Sequence, residues 1–290
     1  MPTIRDRRHP RLAIRTVVLL VVVSIVASVL TLGVVPQTAE AQVYDAPAIR
    51  FQTNVRGDLD FVGNTLLTCP IAETNCAGAQ NTGNNSANNF FNMIYVDQDS
   101  DASTFNSSAS TLNLPAGANV LFAGLYWGAR SNAANRDTAL FQVPGGAYQN
   151  VTASVVDSDG GFNYQSFLDV TADVQAAGNG EYKVANVQAE TGGGRHAGWG
   201  MIVAYEDTTQ PFRNLTVFDG FSRINPANPV TVNVSGFLTP VSGPVTAKVT
   251  QIVYEGDEGY TGDQMLFEGC LLYTSPSPRD LSTSRMPSSA

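Results

Sequence analysis

Three observations predict an all-β, antiparallel sandwich or barrel for this chain of 290 residues. Between residues 43 and 269 short apolar runs recur, separated by Gly, Asn, Pro and Asp, which is the punctuation of strands joined by tight turns. Two of the runs, VLFAGLYWGA and WGMIVAYED, are apolar at successive positions, so both of their faces must be covered and they read as central strands. A third, VTAKVTQIVY, alternates, with Val245, Ala247, Val249, Gln251 and Val253 on one side.

Taken in order, the strands are expected at 49–55, 89–96, 110–114, 120–127, 139–143, 149–156, 180–189, 199–206, 213–221, 230–234 and 245–254. One helical turn is expected in SFLDVTADVQAAGNG, capped by Asp169 or Thr171 and ended by Gly178. The Asn/Gly-rich stretch 77–89 reads as a surface loop. No internal repeat is present, and about 225 residues suit one large sandwich.

The first 41 residues have a different character. Arg5, Arg7, Arg8, Arg11 and Arg15 precede an uncharged apolar run from Thr16 to Val35, then Pro36 and the small-x-small motif Ala39-Glu40-Ala41. Together these predict a secretory signal cleaved before Gln42. An uncleaved signal anchor is the alternative, because the apolar run is long enough to span a bilayer. Arg7-Arg8 is a weak twin-arginine feature, poorly supported by the residues after it. Export to the cell surface or the medium is the expected localisation, and the membrane enters only through this segment.

Residues 42–269 carry nine Lys and Arg against 22 Asp and Glu, a net charge of −13. Such a surface repels phosphate backbones, which argues against nucleic acid as a partner and suits cations and an extracellular setting. Cys69 and Cys76 in TCPIAETNCAG are expected to form a local disulfide in an exported chain, with Cys270 left over.

Candidate chemistry is sparse. Asp97, Asp99 and Asp101 in YVDQDSDASTFNSS place hard oxygen ligands at alternate positions. The helix-loop-helix calcium pattern fails at Ala102, where Gly is required, and at Ser108, where a bidentate Glu is required. A calcium site at a sandwich edge would need a second loop. Asp157 and Asp159 in VVDSDGG, or Glu255, Asp257, Glu258 and Asp263 in YEGDEGYTGDQ, could supply it. Solvated acidic turns are the plainer reading. Calcium is thus the one cofactor the sequence suggests.

TGGGRHAGWG offers glycine amides as an anion cradle and His196 as a base, yet no strand-to-helix context follows. A flexible hairpin leading into the Trp199 strand is the plainer reading. No Gly-x-Ser-x-Gly is present, and a glycosidase carboxylate pair cannot be singled out among so many acids. Tyr126, Trp127 and Trp199 could stack on sugar rings, but they lie in the most apolar strands and read first as core.

Two resemblances extend the reading. DVTADVQAAGNGEYKVANV resembles the turn-and-strand segment of jelly-roll domains related to galactose-binding modules, which implies a jelly-roll-like sandwich. GNTLLTCP, FNMIYVDQDSDASTFNSS, LNLPAGANVLFAGLYWGA, GWGMIVAYEDTTQPFRNLTVFDGF and YEGDEGYTGDQ resemble the N-terminal domain of large bacterial surface proteins. In that group this domain usually precedes Ig-like conserved repeats of unknown function and then a wall anchor or sorting signal. The resemblance implies an exported, non-catalytic domain, structural or adhesive, with an extracellular glycan or surface protein as partner. It carries over no catalytic residues.

The last segment, 270–290, breaks the composition, and CLLYTSPSPRD resembles a translated sequencing-adaptor tail. That implies a gene truncated after Gly269. A disordered natural tail is the other reading. The sequence therefore sets a non-enzymatic surface domain against a carbohydrate-binding jelly roll, calcium-dependent or not, and against a secreted hydrolase.

Overall fold

A computed structural model describes residues 42–81, 88–99, 101–224, 230–233, 235 and 247–255, and the backbone of 264–267, 270–274 and 284–285. All belong to one unit, Ala41–Ala290. The leader 1–41, Val245, Asp257, Glu258, Asp263 and most of 270–290 lie outside the described residues.

The fold is all-β and antiparallel, two sheets facing across a common core. In chain order the main strands are β1 (Gln42–Thr65), β2 (Leu67–Thr68), β3 (Ile94–Tyr95), β4 (Ser107–Leu112), β5 (Asn119–Arg130), β6 (Thr138–Gln142), β7 (Gln149–Thr152), β8 (Val155–Ser158), β9 (Asn163–Asp169), β10 (Gly180–Ala185), β11 (Ala197–Glu206), β12 (Phe212–Arg223) and β13 (Lys248–Val249). Two short helices, α1 (Cys76–Asn81) and α2 (Thr171–Ala177), interrupt them. One sheet has the order β12-β1-β11-β5-β9-β8, the other β4-β10-β6-β7.

The doubly apolar strands sit where their pattern requires. β11 and β5 are neighbours in the middle of the six-stranded sheet, with Trp199 opposite Trp127 and Met201 opposite Leu125. Side chains alternate across a strand. The odd-numbered set (Ala123, Leu125, Trp127, Ala129, Trp199, Met201, Val203, Tyr205) therefore packs against Leu112, Phe141, Tyr182 and Val184 of the four-stranded sheet. The even-numbered set (Phe122, Tyr126, Ala204) joins Phe167, Leu215 and Val217 in a second cluster on the other face. Burying each of these aromatic side chains contributes about 2–3 kcal/mol.

The second cluster draws on β1, β5, β8, β9, β11 and β12, because the sheet curls and brings its two edge strands, β8 and β12, together. The curl encloses one apolar interior, and the sandwich encloses the other.

Several local expectations need correction. Residues 89–96 form a 3-10 turn at Asn88–Phe90 and only the two-residue β3. The run 149–156 breaks into β7 and β8, since Ala153 and Ser154 turn the chain from one sheet to the other. β10 stops at Ala185, where Asn186 adopts a positive φ of 57°. SFLD closes β9, a strand absent from the expected set, and 230–233 carries no strand. The stretch 77–89 is not all loop, since α1 runs from Cys76 to Asn81. Of the strand expected at 245–254, the described residues 247–254 contain β13, and 250–254 have no backbone pairing among the described residues.

The helical turn after β9 is α2, and Gly178 ends it with a φ of 69°. Asp169 Oδ1 accepts the Thr171 amide at 2.9 Å, while the Thr171 hydroxyl accepts the Ala123 amide at 2.9 Å. The residue at the cap itself is Val170.

Candidate functional site

The acidic stretch enters the four-stranded sheet at β4. Its carboxylates are engaged locally, as Asp and Asn turns favour. The Ser107 hydroxyl donates to Asp97 Oδ1 at 2.8 Å and accepts the Gln98 amide at 2.9 Å. The Thr104 hydroxyl lies 3.4 Å from Asp97 Oδ1 and 3.1 Å from Asp99 Oδ1. Asp101 Oδ1 accepts both the amide and the hydroxyl of Ser103, at 2.9 and 2.7 Å. These two bonds hold the Asp101 carboxyl below its usual range.

The partner that the sequence did not single out is Tyr148, whose hydroxyl donates to Asp99 Oδ2 at 2.5 Å. Burial pushes the Asp99 carboxyl up, but hydrogen bonds from Tyr148, the Asp101 amide and Thr104 outweigh it and leave it lowered. Burial and Asp99 together push Tyr148 well up. The turn is pinned from the far side by Asn186, whose side chain accepts the Phe105 amide at 2.8 Å and donates to Ser103 O at 2.9 Å. Asn106, fully buried, brackets Val187 through its amide at 2.8 and 3.1 Å.

Asp157 and Asp159 lie elsewhere, on β8 of the six-stranded sheet and in the turn after it. Asp159 accepts the amides of Gly161 and Asn163 and the Asn163 side chain. Burial raises its carboxyl, and these bonds more than offset the effect. Asp157 faces the seam where the sheet edges approach. Burial pushes its carboxyl up, and Asp45 and Asp219 add to the rise against an opposing effect from Arg50. The first and second acidic stretches thus occupy different sheets. Among the described residues no three His, Cys, Asp or Glu side chains are grouped to hold a metal ion.

Behind that seam lies a polar cluster that no local motif announces. Asp219, 5% exposed, receives Arg50 through Nε at 2.8 Å and Nη2 at 2.6 Å on one oxygen. The Arg50 guanidinium lies 4.4 Å over the Phe167 ring, a cation–π contact. Gln165 reaches from β9 across the curl to Gly220 O at 3.3 Å and Asp219 Oδ1 at 3.5 Å. The Tyr126 hydroxyl is buried beside them without a hydrogen-bond partner among the described residues.

The glycine-rich loop is ordered. Gly192 and Met93 exchange backbone bonds at 2.9 and 3.2 Å, and the Gly194 amide donates to Asn88 O at 3.3 Å. Those amides are therefore committed to the protein's own carbonyls. Burial, with Arg130, Arg195 and Arg223 nearby, pushes His196 down to about 4, so it is neutral at physiological pH. Tyr126, Trp127 and Trp199 are 3%, 0% and 3% exposed, as core residues. The Trp127 indole donates to Arg136 O at 3.1 Å and that of Trp199 to the Ser108 hydroxyl at 2.9 Å. Cys69 and Cys76 are joined in a disulfide that packs with Phe91 beneath α1.

No family model, no curated protein and no solved structure matches the chain. The arrangement holds carboxylates and guanidinium groups in place by short internal bonds.

Proposed function

We propose that this chain is an exported bacterial surface domain, structural or adhesive in role and not catalytic, and that it belongs to a larger protein. The observation that carries the proposal is the buried Cys69–Cys76 disulfide. Such bonds persist in oxidising compartments outside the cytosol. The acidic surface and the aromatic, closely filled cores of both sheet faces agree with a durable extracellular module. The full chain expressed in a bacterial host tests this by fractionation and thiol labelling. The expected product is exported, begins at Gln42 if the leader is cleaved, and labels at Cys69 and Cys76 only after reduction. A cytosolic product with Cys69 and Cys76 both free would overturn the proposal.

A second reading, glycan binding, draws on a different observation. Phe105 is 40% exposed, packs against Tyr95 at 5.4 Å between centroids, and adjoins the acidic turn. Exposed aromatic faces beside carboxylates suit sugar rings. Calcium enters this reading through the convergence of Asp97 and Asp99 on Thr104. A glycan array that is blank for the protein in calcium, with a melting temperature equal in calcium and in chelator, counts against both parts.

A further inference from the structure

The segment 247–255 lies across the interior of the curled sheet. The Lys248 ammonium donates to Leu59 O at 2.6 Å and stands 3.6 Å from Asp58, both on β1. Ile252 packs into the second apolar cluster. Tyr254 lies over β5. One glycine makes room for Tyr254 and a second lies beside Ile252. A Cβ on Gly128 of β5 would meet Tyr164 O and the Tyr254 ring, both at 2.8 Å, whereas one on Gly200 of β11 would meet the Phe61 ring first, at 2.5 Å, and Ile252 Cδ1 at 3.3 Å. Side chains at alternate positions of the segment thus fill a groove that neighbouring strands leave open.

Lys248 and Val249 pair by backbone with Arg285 and Ser284, and the attachment to the groove is made of side chains. Among the described residues, 250–254 form no main-chain hydrogen bond with the sheet, although the sequence alternates as a strand does. The Tyr254 hydroxyl is buried without a partner among the described residues. Leaving a buried hydroxyl unpaired costs about 1–3 kcal/mol. The Asn88 side-chain amide donates to Glu255 Oε1 at 3.5 Å, and between Lys248 and Glu255 the hold is chiefly apolar contact. Its release leaves the β-ladders of both sheets intact.

We propose that 247–255 is an exchangeable plug, and that a second copy of this chain supplies the same segment to the groove in trans. The groove fits that occupant because its walls already match Tyr254 through Gly128 and Ile252 through the second apolar cluster. Asp58 and Leu59 O already match Lys248. Exchange replaces each contact with an identical one, the low-cost route to a dimer. The two arrangements differ only in connection entropy and protein concentration. This goes beyond the surface-domain proposal and does not depend on it.

The test uses the 290-residue chain with Cys270 replaced by Ser. Leu59→Cys and Lys248→Cys chains are mixed at rising concentration and treated with a short bis-maleimide. A covalent heterodimer, increasing with concentration, is the expected product. It falls several-fold when the Lys248→Cys chain also carries Ile252→Asp. One chain with both cysteines, at low concentration, must cross-link internally as the control. That control working with no heterodimer at any concentration overturns the proposal, as does a heterodimer indifferent to Ile252→Asp.

Discussion

Tyr148 shows how one side chain changes the meaning of a motif. The acidic alternation at Asp97, Asp99 and Asp101 is visible in the sequence, but its stabilising partner arrives from 49 residues further on. Removing the hydroxyl with Tyr148→Phe leaves Asp99 with its local bonds alone. The Asp99 carboxyl is lowered in the folded state, so the folded chain binds fewer protons there than the unfolded one. Its contribution is present above the usual carboxylate range and is lost as pH falls through the lowered value. Tyr148→Phe is therefore expected to lower stability by about 1 kcal/mol at pH 7. The deficit should shrink as the medium is acidified below the usual range for Asp. Urea denaturation of both proteins at pH 7 and pH 3 checks this. An equal deficit at both values would assign the loss to packing.

Among the elements, β5 and β11 were legible from burial on both faces, and β6 and β12 from one-sided alternation. β5 and β11 emerge within a few residues of their expected limits because Leu125, Trp127, Met201 and Val203 have only one kind of place to go. β9 was missed because Asn163, Gln165 and Asp169 make it look polar. Its role in bridging the curl through Gln165 depends on β12, far away in the chain. The segment 245–254 failed in the opposite sense. Residues 247–254 are all half-buried, and the side chains that dock, Ile252 and Tyr254, belong to the face opposite the expected Ala247, Val249, Gln251 and Val253. The same close approach governs β1, where Gly63 is paired with Gly200 and a Cβ would overlap the Trp199 carbonyl oxygen. Gly63→Val is expected to cost about 2–3 kcal/mol through overpacking of the central ladder. A lowered melting temperature with reduced protection of the Trp199 and Met201 amides in hydrogen exchange checks it. An unchanged melting temperature would show that the β1–β11 pair yields easily.

At the scale of the whole molecule, closure of the six-stranded sheet is an electrostatic question as well as an apolar one. The interior is apolar through Phe122, Phe167, Leu215 and Val217, yet the seam between β8 and β12 brings Asp157 towards Asp45 and Asp219, with Arg50 the cation among them. Arg50 is already bound to Asp219 at 2.6 Å, so Asp157 is the carboxylate with least compensation. No sequence pattern could report this, since the residues lie on three strands and meet only when the sheet curls. Burial, Asp45 and Asp219 raise the Asp157 carboxyl in the folded state, so between its unfolded and folded values the folded chain holds the extra proton. Stability through this group therefore falls as pH rises across that window, the reverse of Asp99. Asp157→Asn removes the charge and retains the shape. It is expected to raise the melting temperature at pH 7 and to leave it nearly unchanged at pH 4. Thermal melts at the two values, with hydrogen exchange on β8 to localise the gain, test it. A destabilised Asp157→Asn protein at pH 7 would mean that the Asp157 charge holds the seam closed through Arg50 and does not strain it.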